Sequence, residues 1–115
     1  MLSEKQFGLL RELLDSAKII RTCLQGVSRE AFMMNVEKQD AVLRRFEIIG
    51  EAASRLAPET QALFPELPFR QMHGMRNIIA HDYGEVDPGQ VRQTATNDLE
   101  ALVEAVQSYF IPRHL

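Results

Sequence analysis

No proline occurs before Pro58, and through that long opening stretch apolar residues recur at steps of three and four. A chain with this period buries its apolar side chains as helices, because a half-buried strand needs alternation at a step of two. The spacing predicts a first helix from about Ser3 to Leu24, with Phe7, Leu10, Leu14, Ala17, Arg21 and Leu24 in one line and Leu9, Leu13 and Ile20 widening it. Gln25-Gly26-Val27 ends it. Ser28 caps a short helix through Met34, and a longer helix spans about Glu37 to Leu56 with Val42, Phe46, Ile49, Ala53 and Leu56 inward. Gly50 inside that helix permits a close crossing with another helix.

Prolines then punctuate the chain. Pro58, Pro65 and Pro68 bracket a short helical turn tied down by Ala62, Leu63 and Phe64. A further helix begins near Phe69, carries Met72, Met75, Ile78 and Ile79, and stops close to His81, with Gly84 as the C-terminal break. Asp87-Pro88-Gly89-Gln90 reads as a helix start, with Asp87 as cap, Pro88 at the first helical position and Gln90 at the capping-box position. Val91, Ala95, Leu99, Leu102, Val103, Val106 and Phe110 form the buried stripe that follows. The expected fold is all-α, an up-and-down bundle of four long helices plus one or two short ones. It forms one domain over residues 1–115, since two cores in 115 residues would each be marginal.

Composition narrows the function classes. The one cysteine, Cys23, excludes an internal disulfide and, in its apolar stretch, reads as a buried reduced thiol suited to the cytoplasm. No apolar run approaches the roughly 20 residues that span a bilayer, and Met1-Leu2-Ser3-Glu4-Lys5 lacks the pattern of a secretory leader. The net charge of −3 argues against a protein that coats nucleic acid nonspecifically. Charge is uneven, however. Residues 38–81 hold six cations against five acids, while residues 82–115 hold two against six. Any RNA contact therefore uses a local arginine cluster.

The run Gly74-Met75-Arg76-Asn77-Ile78-Ile79-Ala80-His81-Asp82-Tyr83-Gly84 carries the chemistry. It gathers a permanent cation, an imidazole that titrates near neutral pH and a phenol within eight residues, a set suited to phosphate esters. RNA is cut without metal when a base takes the 2′-hydroxyl proton, an acid protonates the leaving 5′-oxygen and a cation stabilises the charge on phosphorus. Arg76 suits the cation's task and His81 either proton transfer. Five helical residues turn about 140° and rise about 7.5 Å, so the two do not share one stripe. One copy also supplies a single histidine at that end, and a two-fold dimer would bring two arginines and two histidines to one cleft.

The arginine-x4-histidine-x-tyrosine run resembles the HepT-like branch of the HEPN superfamily, small helical ribonuclease toxins paired with a nucleotidyltransferase antitoxin. The segment Gln39 to Ala53 resembles that family's second sequence block, and Val86-Asp87 with Asn97-Asp98-Leu99 its third. Phe69 and Arg92 depart from it, standing where many relatives carry tryptophan. The resemblance implies catalytic Arg76 and His81 in a composite site at a homodimer interface, RNA as substrate and no cofactor. It also implies that Tyr83 is the residue the partner nucleotidyltransferase adenylylates.

Other residues carry two readings each. Asn77 orients Arg76 or donates to phosphate, or is an exposed helix residue. Asp40, Arg44, Glu47, Glu51 and Arg55 are a solvated charge ladder, or Asp40, Arg44 and Glu51 position the cleft or the dimer. His73 is an exposed or interfacial residue, or a second proton carrier; its separation from His81 does not suit a metal site, and no metal is expected. Tyr83 is modified, or packs under its loop. Met33, Met34, Met72 and Met75 are core or interface packing. For the whole chain, the alternatives to a ribonuclease toxin are a noncatalytic helical module that dimerises or binds a nucleotidyltransferase, and an antidote to a toxic nucleotidyltransferase.

Overall fold

The computed structural model describes residues 2–81 and 86–110, except for the side chains of Ile78, Ala80 and His81. Those residues form six helices: α1 (Glu4–Leu24), α2 (Arg29–Met33), α3 (Val36–Ser54), α4 (Pro58–Gln61), α5 (Phe69–His81) and α6 (Pro88–Phe110). Four are long and two short, the all-α bundle the sequence predicts. Gly84, expected to break α5, lies outside the described residues.

Helix starts follow local chemistry. Ser3 accepts a hydrogen bond from the Gln6 amide at 3.2 Å, Ser28 from Ala31 at 3.1 Å and Asn35 from Lys38 at 2.9 Å. Each satisfies an amide that lacks a partner in the first turn. Asp87 does the same for α6, accepting from the Gly89 amide at 2.9 Å, with Pro88 at the first helical position. Between α1 and α2 the chain turns at Gly26, whose φ of 72° lies in the left-handed region that costs glycine nothing.

Polar contacts at both ends fix the direction of packing. The Gln6 side chain accepts from the Ala57 amide at 2.9 Å, and Lys38 Nζ donates to the Cys23 carbonyl at 3.1 Å. The start of α1 thus meets the end of α3, and the two run antiparallel. Likewise Phe7 stacks beside Phe110 with ring centroids 5.9 Å apart, while Arg92 donates to the Val27 carbonyl at 3.0 Å, so α6 also runs antiparallel to α1. Arg92 therefore closes the α1–α2 corner with a hydrogen bond. Helix α5 packs chiefly on α3.

Leu10, Leu13, Ala17, Ile20, Val42 and Val106 are wholly buried as expected, and Phe32 of α2, which the sequence did not single out, joins them. Burying each larger member contributes about 1.5–3 kcal/mol. Several expectations need correction. Arg21, placed on the apolar line of α1, is exposed and paired with Glu100 at 3.5 Å. Met33 and Met34 are exposed, Met34 to 87%, so of their two readings the core one is wrong and packing at an interface is left. Ala62 and Leu63 also face out, and the connector is instead anchored by Thr60, Phe64 and Leu67. Cys23 is half-buried.

Candidate active site

The site is rooted where α5 crosses α3. Gly50 lies against the carbonyl oxygen of Met72 and the side chain of Arg76: a Cβ built at position 50 would stand 2.8 Å from that oxygen and collide with the Arg76 Cβ. Only the missing side chain allows this approach. It brings Glu51, the next residue on α3, within reach of the Arg76 guanidinium.

Three side-chain contacts then run along α5. Arg76 Nη2 pairs with Glu51 Oε2 at 2.8 Å, and Arg76 Nη1 donates to Asn77 Oδ1 at 3.0 Å. Asn77 Nδ2 lies 3.3 Å from His73 Nε2. With 30% of the arginine side chain and 47% of the glutamate exposed, the ion pair contributes at most about 1 kcal/mol to stability. Its larger effect is orientation, because two different guanidinium nitrogens are held by two different residues. Arg76 Nε is buried and has no partner among the described residues.

A pocket of about 240 Å³ opens beside Arg76, lined by Glu12, Arg44, Glu47, Ile48, Glu51 and Arg76. Arg44 pairs with Glu47 at 2.8 Å across one turn of α3. Three carboxylates thus surround two guanidiniums, leaving the pocket one negative charge in excess. A phosphate entering here has to displace Glu51 from Arg76 or approach the guanidinium from its free side.

Of the residues singled out in the sequence, Arg76, Asn77, Glu51 and Arg44 are brought together. Asp40 is exposed nearer the start of α3 and is not among those lining the pocket. Helix α5 continues unbroken to His81, which fixes its backbone about 7.5 Å along the axis and about 140° around it from Arg76. The His81 side chain and all of Tyr83 lie outside the described residues. Glu12 went unread because nothing near it in sequence marks it, and it comes from α1 by tertiary packing alone. The contact between His73 and Asn77 also went unread, although their four-residue spacing sets them on one face of α5.

Among the described residues no group of three or more His, Cys, Asp or Glu is placed to hold a metal ion. None of their helices is long and apolar enough to cross a membrane.

Comparison with known proteins places this geometry. The family model described as "Ribonuclease HepT-like" matches residues 13–109. The chain is 31% identical over 93 residues to a "Probable ribonuclease HepT" of Thermococcus cleftensis, covering 81% of this chain and 84% of that protein. It is 34% identical over 92 residues to a "Putative RNase" of Methanocaldococcus jannaschii, covering 80% and 79%. No solved structure matches it. With the family model spanning most of its length and relatives above 30% identity along most of both chains, the chain belongs to the HepT-like ribonuclease family.

Proposed function

We propose that this chain is a metal-independent endoribonuclease that works as a homodimer in the cytoplasm, with Arg76 and His81 of both protomers forming one composite cleft. The observation that carries the reading is the oriented Arg76 guanidinium, held by Glu51 and Asn77 on the helix that ends at His81. One His81 removes the proton from the ribose 2′-hydroxyl, and the 2′-oxygen attacks phosphorus. The P–O5′ bond breaks as the second His81 protonates the departing oxygen, leaving a 2′,3′-cyclic phosphate and a 5′-hydroxyl. Arg76 stabilises the charge gathered on the phosphoryl oxygens, exchanging Glu51 for substrate as it does so. The offset of Arg76 from His81 around α5 supports sharing between two subunits, since one copy supplies one imidazole at that end.

The same reading makes the chain the toxin of a toxin–antitoxin pair. A partner nucleotidyltransferase silences it by joining AMP from ATP to the Tyr83 phenol, with pyrophosphate leaving. The bound nucleotide adds bulk and negative charge beside the cleft and excludes RNA phosphate.

Purified protein incubated with RNA in chelator, beside Arg76→Ala and His81→Ala, tests the catalytic reading. Cleavage to cyclic-phosphate ends that both substitutions abolish is expected; cleavage indifferent to both removes the proposal. For Tyr83, the expected mass gain of one AMP after treatment with the partner and ATP disappears in Tyr83→Phe.

A second reading is favoured by the acidic pocket. Three glutamates around Arg76 suit a noncatalytic module that docks a basic segment of a nucleotidyltransferase. Adenylylation that leaves RNA cleavage unchanged would favour that module over the toxin.

A further inference from the structure

The contact between His73 and Asn77 has only one consistent proton arrangement. Arginine carries donors and no acceptor, so the Asn77 atom that faces Arg76 Nη1 at 3.0 Å has to be the amide oxygen. That fixes the other end of the amide. Asn77 Nδ2 is a donor, and His73 Nε2, 3.3 Å away, must accept from it. An imidazole that accepts at Nε2 carries its ring proton on Nδ1.

We propose that His73 is a positioning residue for Arg76, accepting at Nε2 from the Asn77 amide and so holding the amide oxygen on the guanidinium. The chain of contacts runs His73, Asn77, Arg76, Glu51, and it crosses from α5 to α3 at its end. Without His73 the Asn77 amide is held by Arg76 alone and turns more readily, so the second of the two tethers on the guanidinium loosens. The guanidinium then samples more orientations that do not meet phosphate.

This role rests on Arg76 being the group that stabilises the phosphate, and the test separates the two claims. Three variants of the full chain differ in what they offer Asn77. In His73→Gln a carbonyl oxygen four residues away still accepts, in His73→Ala nothing does, and in His73→Lys only donors are present. RNA cleavage is measured for kcat and KM separately, with melting temperatures as a control on folding.

His73→Ala is expected to lower kcat about fivefold with KM changed less than about twofold, the loss that one neutral hydrogen bond acting on the transition state produces. His73→Gln should retain half or more of kcat. His73→Lys should fall at least as far as alanine although it adds a cation for RNA. A lysine variant that matches or exceeds the parent, or a glutamine variant as poor as alanine, overturns the proposal.

Nitrogen-15 spectra of the Arg76 guanidinium give the answer independently of catalysis. Slower rotation is expected in the parent and in His73→Gln than in the other two, where Glu51 still pairs with the guanidinium. If the parent cleaves no RNA, the ribonuclease reading fails while these spectra still decide the positioning claim. Identical guanidinium spectra in all four proteins sink it.

Discussion

Gly50 and Arg76 are in van der Waals contact across the α3–α5 crossing, with no room for a methyl group between them. The contact joins the scaffold to the chemistry, since the same approach that packs α5 on α3 delivers the guanidinium to Glu51. Gly50→Ala gains up to about 1 kcal/mol of helix propensity. It also forces apart two backbones, because the obstructing atoms include the Met72 carbonyl oxygen, and overpacking of this kind costs about 1–3 kcal/mol. A net loss of stability is expected, read by urea denaturation. Gly8, on the exposed face of α1 with nothing within 4 Å of a built Cβ, is the control, and Gly8→Ala should gain about 0.5–1 kcal/mol.

Removing the carboxylate that holds Arg76 changes binding more than stability. Glu51→Gln takes one of three negative charges from the pocket and keeps an acceptor for the guanidinium. In a His81→Ala background, where no cleavage interferes, RNA should bind about two- to fivefold more tightly, while Tm shifts little because the pair is partly exposed. Unchanged or weaker binding would place the RNA path away from this pocket.

A lysine does not replace Arg76. The two contacts to Glu51 and Asn77 come from separate nitrogens of one planar group, a fork an ammonium lacks. Arg76→Lys is expected to lose about a hundredfold or more in kcat, near the loss in Arg76→Ala. Near-parental activity with lysine would mean that charge alone suffices.

The core and the surface ion pair separate cleanly. Leu13 is wholly buried, and Leu13→Ala should cost about 2–5 kcal/mol. Arg21→Ala, which breaks a 3.5 Å pair with both partners about half exposed, should cost under about 1 kcal/mol. Denaturation midpoints of the two variants check the ranking.

Helix positions were legible because their signals are local. Caps at Ser3, Ser28 and Asp87 and the proline at Pro88 sit where the chain turns, and periodicity supplied the buried faces. Periodicity misled where a stripe outlasts its neighbour. Arg21 continues the line of α1 by spacing, yet its side chain lies exposed beside Glu100 while Leu24 stays packed against the core. The core reading of Met33 and Met34 failed for a related reason, since the short α2 and its cap bury one side and only Phe32 points inward.

Within the site, Arg76, Asn77, His73 and His81 were readable as neighbours on one helix. The charge ladder of α3 was not resolvable into partners, because nothing in it says which turn α5 crosses. Gly50 marks that turn, which selects Glu51 and leaves Asp40 outside the pocket. Glu12 carried no signal at all. It reaches the pocket only because α1 packs on α3.

Single-turnover cleavage of RNA in chelator by Arg76→Ala, with and without added methylguanidinium, addresses the role of Arg76 most directly. The expected result is a rate at least about a hundredfold below the parent, partly restored by the added cation, at an unchanged melting temperature. A rate equal to the parent would contradict the account.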